Sequence, residues 1–288
     1  MSSRWISSGR NRGALHALAA AVLCLSAWPA AARAADEGSL IPGQPATAAR
    51  YPYVAALSRQ SGDRRVYFCG GTLVAPQWIA TAAHCFFAPG GQRIGAGDLW
   101  AEVGRDWLKD AGEDAQMRVA RIVIHPDYDP ETQANDIALV RLDEIAGPLV
   151  AAVATRDDPT PDATALGFAS LYEGELAARG VNVAGTLAAQ LSDRLRQARL
   201  FLRDPASCAG LRGPDAGPAN RTICAGTDAR DTCVGDSGGP LIEPNADGDD
   251  RLIGIVSRGS GCAVAEPKVV YTRVSAYADW IRSTIAAP

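Results

Sequence analysis

A serine set among glycines in Asp231-Thr-Cys-Val-Gly-Asp-Ser-Gly-Gly-Pro240 is the strongest chemical feature of this chain. The Ser237 hydroxyl is a weak nucleophile until a base takes its proton. The chain has three histidines, His16, His84 and His125. His16 lies in an apolar N-terminal stretch, and His125 opens a loop-like His-Pro-Asp-Tyr where a structural or solvent-exposed role is expected. His84 remains as the base. It stands in Thr81-Ala-Ala-His-Cys85, and small neighbours suit a crowded cleft. Asp136, in Asn135-Asp-Ile-Ala-Leu139, supplies a carboxylate to orient the imidazole. A hydroxyl, an imidazole and a carboxylate in these roles can attack a carbonyl, hold the acyl group and release it to water. Gly235-Asp-Ser-Gly-Gly239 also fits the G-x-S-x-G elbow of α/β-hydrolases. That class places its histidine after the serine, and none follows Ser237. An esterase of that type is excluded.

The elements that must position these groups read as strands. Short β-rich runs are punctuated by glycine and proline: Tyr53–Leu57, Trp78–Thr81, Val119–Ile124, Ile137–Leu142, Leu252–Val256 and Val269–Val274. This spacing predicts an all-β sandwich or barrel rather than alternating β/α units. One helix is expected, from Ser275 to Ile285, with Ser275 as N-cap and Tyr277, Trp280, Ile281 and Ile285 on one face. Leu108–Met117 and Ala169–Ala189 read as loop insertions. Asp110, Glu113 and Asp114 show no calcium-ligand spacing and are expected to be solvated.

The N-terminus carries Arg4, Arg10 and Arg12, then an apolar run from Ala14 to Trp28, then Ala32-Arg-Ala34. A basic region, an apolar region and an A-x-A site predict a secretory signal peptide over residues 1–34, and a secreted or periplasmic product with no membrane attachment after cleavage. Of seven cysteines, loss of Cys24 leaves six, an even number suited to an oxidising compartment; fifteen pairings are open to them. A metal site is not expected, because no C-x-x-C pair occurs and His84 is already claimed. Without the leader's four arginines, 24 basic residues face 32 acidic ones, a net charge of −8. Such a surface argues against nucleic acid or an anionic membrane as partner.

Phe68-Cys-Gly-Gly-Thr-Leu73, Thr81-Ala-Ala-His-Cys85, Asp136-Ile-Ala-Leu139, Cys224-Ala-Gly226, Gly235-Asp-Ser-Gly-Gly-Pro240 and Val270-Tyr-Thr-Arg-Val274 occur in one order, from about Leu40 to the end. Together they resemble the chymotrypsin/trypsin family of serine endopeptidases, and the chain looks like a bacterial, trypsin-like member. The resemblance implies two six-stranded antiparallel Greek-key barrels packed across a cleft, followed by a C-terminal helix. The first barrel, about residues 53–150, would carry His84 and Asp136; the second, about 163–274, would carry Ser237; the helix would cover about 275–286. The acidic, proline-rich stretch Arg156–Asp162 suits the crossing between them.

The resemblance also implies roles for further residues. It selects the disulfides Cys69–Cys85, Cys208–Cys224 and Cys233–Cys262 from the open pairings. The Gly235 and Ser237 N–H groups would form an oxyanion hole. Asp231 would lie at the floor of the primary specificity pocket, favouring Arg or Lys before the cut, with walls at Ser257, Gly259 and Val269. Arg258 stands where the family usually has tryptophan, and Val269 where trypsins have glycine. After removal of a pro-segment, residues 35–39, the new N-terminus at Leu40 would pair with Asp236. Pro42 and Ser39 depart from the family pattern there, so an activating protease of other than trypsin-like specificity is expected. A monomer without cofactor, acting on a protein or peptide substrate, is implied. The alternative is a latent or inactive binding protein on the same scaffold.

Overall fold

In short strands, side chains alternate between a core and solvent, and here two sets of six such strands pair into closed rings. The structure is a computed structural model, and it describes residues 44–62, 64–88, 91–108, 116–168, 194–212, 219–226, 237–244, 249–259 and 268–287. A two-residue strand β1 (Gln44–Pro45) precedes the first ring. That ring contains β2 (Val54–Ser61), β3 (Arg64–Ala75), β4 (Trp78–Thr81), β5 (Leu99–Val103), β6 (Met117–Ile124) and β7 (Ala138–Leu142). These strands close as an antiparallel barrel in the order β2-β3-β4-β7-β6-β5.

After β8 (Ala152–Val153) comes the second ring: β9 (Asp162–Gly167), β10 (Arg196–Arg203), β11 (Thr222–Gly226), β12 (Pro240–Pro244), β13 (Asp250–Gly259) and β14 (Lys268–Arg273). It runs β10-β11-β14-β13-β12-β9 and closes through the pairing of β9 with β10. β1 adds to β10, and β8 runs parallel to β13. Two six-stranded antiparallel barrels and a C-terminal helix are the architecture that the family resemblance implies.

The larger core holds Leu57, Leu73, Ile79, Phe86, Leu99, Ile137 and Leu139 of the first barrel. It continues into Ile242, Leu252 and Ile255 of the second and Ile281 of the terminal helix. Burial of one such side chain stabilises the fold by about 1.5–3 kcal/mol. A smaller core of Leu200, Ile223, Leu241, Ile253, Val256 and Tyr271 fills the second barrel. The barrels are also tied by polar contacts. Arg50 and Tyr53, at the entry to the first barrel, both donate to buried Asp250 at the start of β13. The linker is anchored through Asp157 to Arg273 and through Asp158 to Arg251.

A short helix α1 (Ala209–Arg212) lies between β10 and β11, and the terminal helix α2 spans Ala278–Ala286. Helical backbone begins at Val274, one residue before the expected start, but Ser275 is not its N-cap. Ser275 lies inside a 3-10 turn, Val274–Tyr277, and no side chain caps either that turn or α2. Burial of Val274 and Tyr277 against the core sets this entry instead. Residues 109–115 and 169–193, which contain most of the two expected insertions, lie outside the described residues. Among the described residues, no helix is long and apolar enough to cross a membrane.

Candidate active site

His84 sits on a 3-10 turn, Ala83–Phe86, directly after β4. Buried Ala82, Ala83 and Phe86 hold this turn against the barrel, and the Cys69–Cys85 disulfide ties it to β3. Asp136 lies just before β7, the strand paired with β4, so the ladder brings acid and imidazole together. The His84 Nδ1 lies 2.7 Å from Asp136 Oδ2, and the His84 main-chain N–H donates to Oδ1 at 2.9 Å. Ser257 Oγ donates to Oδ2 at 2.6 Å, and Thr272 Oγ1 donates to the Asp136 carbonyl at 2.7 Å.

Asp136 is only 1% exposed. A buried carboxylate without donors would cost several kcal/mol, and the surrounding N–H and O–H groups offset that cost. The same bonds fix the imidazole. With Nδ1–H given to the carboxylate, Nε2 is left with its lone pair, able to take a proton.

Ser257 reaches Asp136 because β13 is irregular there: its register against β14 shifts between Val256 and Arg258. A bulge re-aims a side chain that regular alternation would send elsewhere. The Ser257 hydroxyl, expected in the pocket wall, is thus engaged with the acid.

Ser237 is placed by its main chain. Gly70 N–H donates to the Ser237 carbonyl at 2.8 Å, and Cys85 Sγ lies 3.9 Å from the same oxygen. Gly238 follows with φ +81°, and its N–H donates to Val256 O at 2.9 Å. A β-carbon at Gly238 would lie 2.6 Å from Gly70 O and would collide with Thr81 Oγ1. That hydroxyl is fixed, donating to Gly70 O at 2.8 Å. Only glycine tolerates both the left-handed backbone and the contact. The turn bearing Ser237 therefore rests on Gly70 and Thr81, beside the bridge that flanks His84.

Cys208 and Cys224 are also bridged. Gly259 pairs with Val269, and Val269 is packed into the second barrel's core with Ala225 and Tyr271. Leu40, Asp231, Cys233, Gly235, Asp236 and Cys262 lie outside the described residues. Cys69, His84 and Cys85 form the one metal-competent grouping among the described residues, but both sulfurs are spent in the disulfide and offer no thiolate.

His125 takes no part in this constellation. Its ring packs against Tyr277 and Trp280 at 5.1 and 5.0 Å, and its Nδ1 accepts from Asp127 N–H. Burial pushes its pKa below the ordinary 6.5, opposed by Asp127 and assisted by Arg221. Burial, with the Asp136 charge second, pushes the Tyr128 phenol up.

Several residues of the site carried no role in the sequence reading. Asn135 adopts φ 56°, its Nδ2 donates to Asp127 O at 2.7 Å, and its Oδ1 accepts from Arg221 and Tyr277. Asparagine just before the acid was a usable signal, since it tolerates left-handed backbone better than most residues. Gly238 and Thr272 stand inside Gly235-Asp-Ser-Gly-Gly-Pro240 and Val270-Tyr-Thr-Arg-Val274, motifs that do not by themselves assign either a role.

Comparison with known proteins follows the same outline. The family model described as Trypsin matches residues 40–281. The chain is 34% identical over 263 residues to serine protease 56 of Mus musculus, covering 87% of this chain and 39% of that protein. It is 33% identical over 253 residues to tissue-type plasminogen activator of Homo sapiens, covering 82% and 43% respectively. With the venom peptide isomerase heavy chain of Agelenopsis aperta it shares 28% identity over 259 residues, 84% of this chain and 98% of that one. The chain thus spans about two-fifths of the length of the first two relatives. All three relatives are animal proteins, so the bacterial look read from the sequence gains no support.

Proposed function

Because the chain belongs to the trypsin family of serine proteases, we propose that it is a serine endopeptidase that hydrolyses peptide bonds through an acyl-enzyme. One observation carries this reading: His84 is bonded through Nδ1 to buried Asp136, beside the turn on which Ser237 rests. In the proposed reaction, Ser237 Oγ attacks the peptide carbonyl as His84 Nε2 takes its proton. The imidazolium then returns that proton to the leaving amine, and water repeats the sequence on the ester. Asp136 holds the tautomer and stabilises the imidazolium. The N–H groups of Gly235 and Ser237 receive the oxyanion, and each such donor contributes about 3 kcal/mol to the transition state.

Specificity for Arg or Lys rests on Asp231, whose carboxylate would make charge-assisted bonds to the side chain before the cut. For activation, removal of residues 35–39 would let Leu40 reach Asp236. Gln44, four residues later, is already paired with Gln197 of β10 in the second barrel, which supports this path. N-terminal sequencing of active material would refute it if Ala35 were still present. The signal-like leader and the disulfides favour a secreted or periplasmic protein; the family favours protein or peptide substrates, on which it would act as a monomer.

Cleavage of a peptide library by the processed protein tests the reading as a whole. Cuts after Arg or Lys, abolished in Ser237→Ala, are expected. Cuts after other residues would remove the Asp231 assignment alone. A folded, processed protein that cuts nothing would leave a binding scaffold in its place.

A further inference from the structure

The segment that delivers Asp136 is backbone-strained. Gln133 has φ 53° and Asn135 φ 56°, two non-glycine residues in the left-handed region within the three positions before the acid. Such a conformation costs about 1–3 kcal/mol at Gln133, and less at an asparagine, and persists only where surrounding groups over-determine it. On the near side, Asp129 closes the turn: its carboxylate accepts from Glu131 N–H and from Thr132 Oγ1, and its own N–H donates to Ala134 O. On the far side, the grip comes from the second barrel. Arg258 Nη1 donates to Thr132 O at 3.0 Å and Nη2 to Gln133 O at 2.9 Å.

Arg258 stands next to Ser257 on β13, where the register shifts. In a regular strand these two neighbours would point to opposite faces. The irregularity instead lets both serve one segment of the first barrel: Ser257 binds Asp136, and Arg258 binds the carbonyls three and four residues before it. Arg221 and Tyr277 complete the hold by donating to the Asn135 side chain.

We propose that Arg258 is a positioning residue for the reaction: its two-carbonyl grip on Thr132 and Gln133 holds the strained segment that sets Asp136 against His84. The proposal rests on the endopeptidase reading above and adds to it a link from a strand of the second barrel to the acid on the first. A planar guanidinium holds its donors in a fixed fork that meets two carbonyls at once, whereas a lysine ammonium carries three rotatable donors on a flexible stem with no such preset geometry, and an indole has one N–H. Lysine therefore grips the two carbonyls less rigidly than arginine, and tryptophan cannot bond both.

The test compares wild type with Arg258→Lys and Arg258→Met, each alone and combined with Gln133→Gly, which relieves the left-handed strain without touching the carbonyl. Two readouts are followed below the melting temperature: kcat and KM on one peptide, and the low-field proton resonance of the His84 Nδ1–H shared with Asp136. Misplacement of reacting groups by about 1 Å costs about 100-fold, so a kcat loss approaching that size with little change in KM is expected in both single variants. The low-field resonance should broaden or vanish with it. Gln133→Gly should restore part of kcat and of the resonance. A folded variant with unchanged kcat and resonance would overturn the proposal, as would a rise in KM alone, which marks a substrate shelf. If wild type shows no turnover, the endopeptidase reading fails. The resonance then decides the Arg258 grip by itself: loss in the variants upholds it, and persistence removes it.

Discussion

The two halves of the candidate site are built by different means. The half carrying His84 and Asp136 is fixed by side chains: a carboxylate takes donors from a main-chain N–H, an imidazole and a hydroxyl. The half carrying Ser237 is fixed by main chain: Gly70 N–H on the Ser237 carbonyl, and a left-handed Gly238 against Thr81. The chemistry explains the difference. A proton acceptor must present one ring nitrogen in one tautomer, and here the Asp136 carboxylate imposes it. A nucleophile at a tight turn must be free to rotate about its own χ1, so its backbone is held instead. The contrast predicts that damage to the first half will appear in rate, and damage to the second in folding and rate together.

The largest effect is expected from Asp136→Asn. A carboxamide can present its NH2 group to Nδ1, reverse the tautomer and leave Nε2 protonated. In a triad this lowers kcat by about 10,000-fold with the fold intact. Steady-state kinetics with a melting curve would check it, and a loss of fold without selective loss of kcat would break the contrast.

Gly238→Ala comes next. The left-handed backbone at φ +81° and the contact with Gly70 O together should cost about 3 kcal/mol of stability, with loss of activity in what remains folded. Chemical denaturation reads the first, and turnover per folded molecule the second. A stable, fully active alanine variant would contradict the packing described.

The smallest effect belongs to His125, outside both halves. Burial holds its folded pKa below 6.5, so the unfolded chain binds the proton more readily. Stability from this group is complete above 6.5 and is lost as pH falls through the depressed folded value. The urea midpoint should therefore drop on acidification more in wild type than in His125→Gln. An equal drop in both would show that His125 does not contribute.

Much of this site was legible in the sequence because its chemistry needs rare residues in fixed company. Only three histidines exist, and His84 alone has the small neighbours and adjacent cysteine of a clamped turn. The strand runs were legible too, since apolar β-branched stretches between glycines and prolines have few other uses. What could not be read was long-range polar bonding. The resemblance implies a place for Ser257 in a pocket wall but says nothing of its hydroxyl, which a register shift on β13 turns to Asp136. Arg258 was noted as a departure from tryptophan, but its two carbonyl partners lie on the other barrel. Ser275 had the right type for a cap, and tertiary burial of Val274 and Tyr277 overrode it. Arg196, Arg199 and Arg203 mask the alternation of β10 in the sequence, although Ala198 and Leu200 face inward.

The central claim is that Ser237 is activated by His84. Labelling with a fluorophosphonate probe, followed by peptide mapping, tests it most directly. A single adduct on Ser237 is expected in the processed protein, and at most a trace in a folded His84→Ala variant. Labelling that persists undiminished without the imidazole, or none at Ser237 in processed wild type, would contradict it.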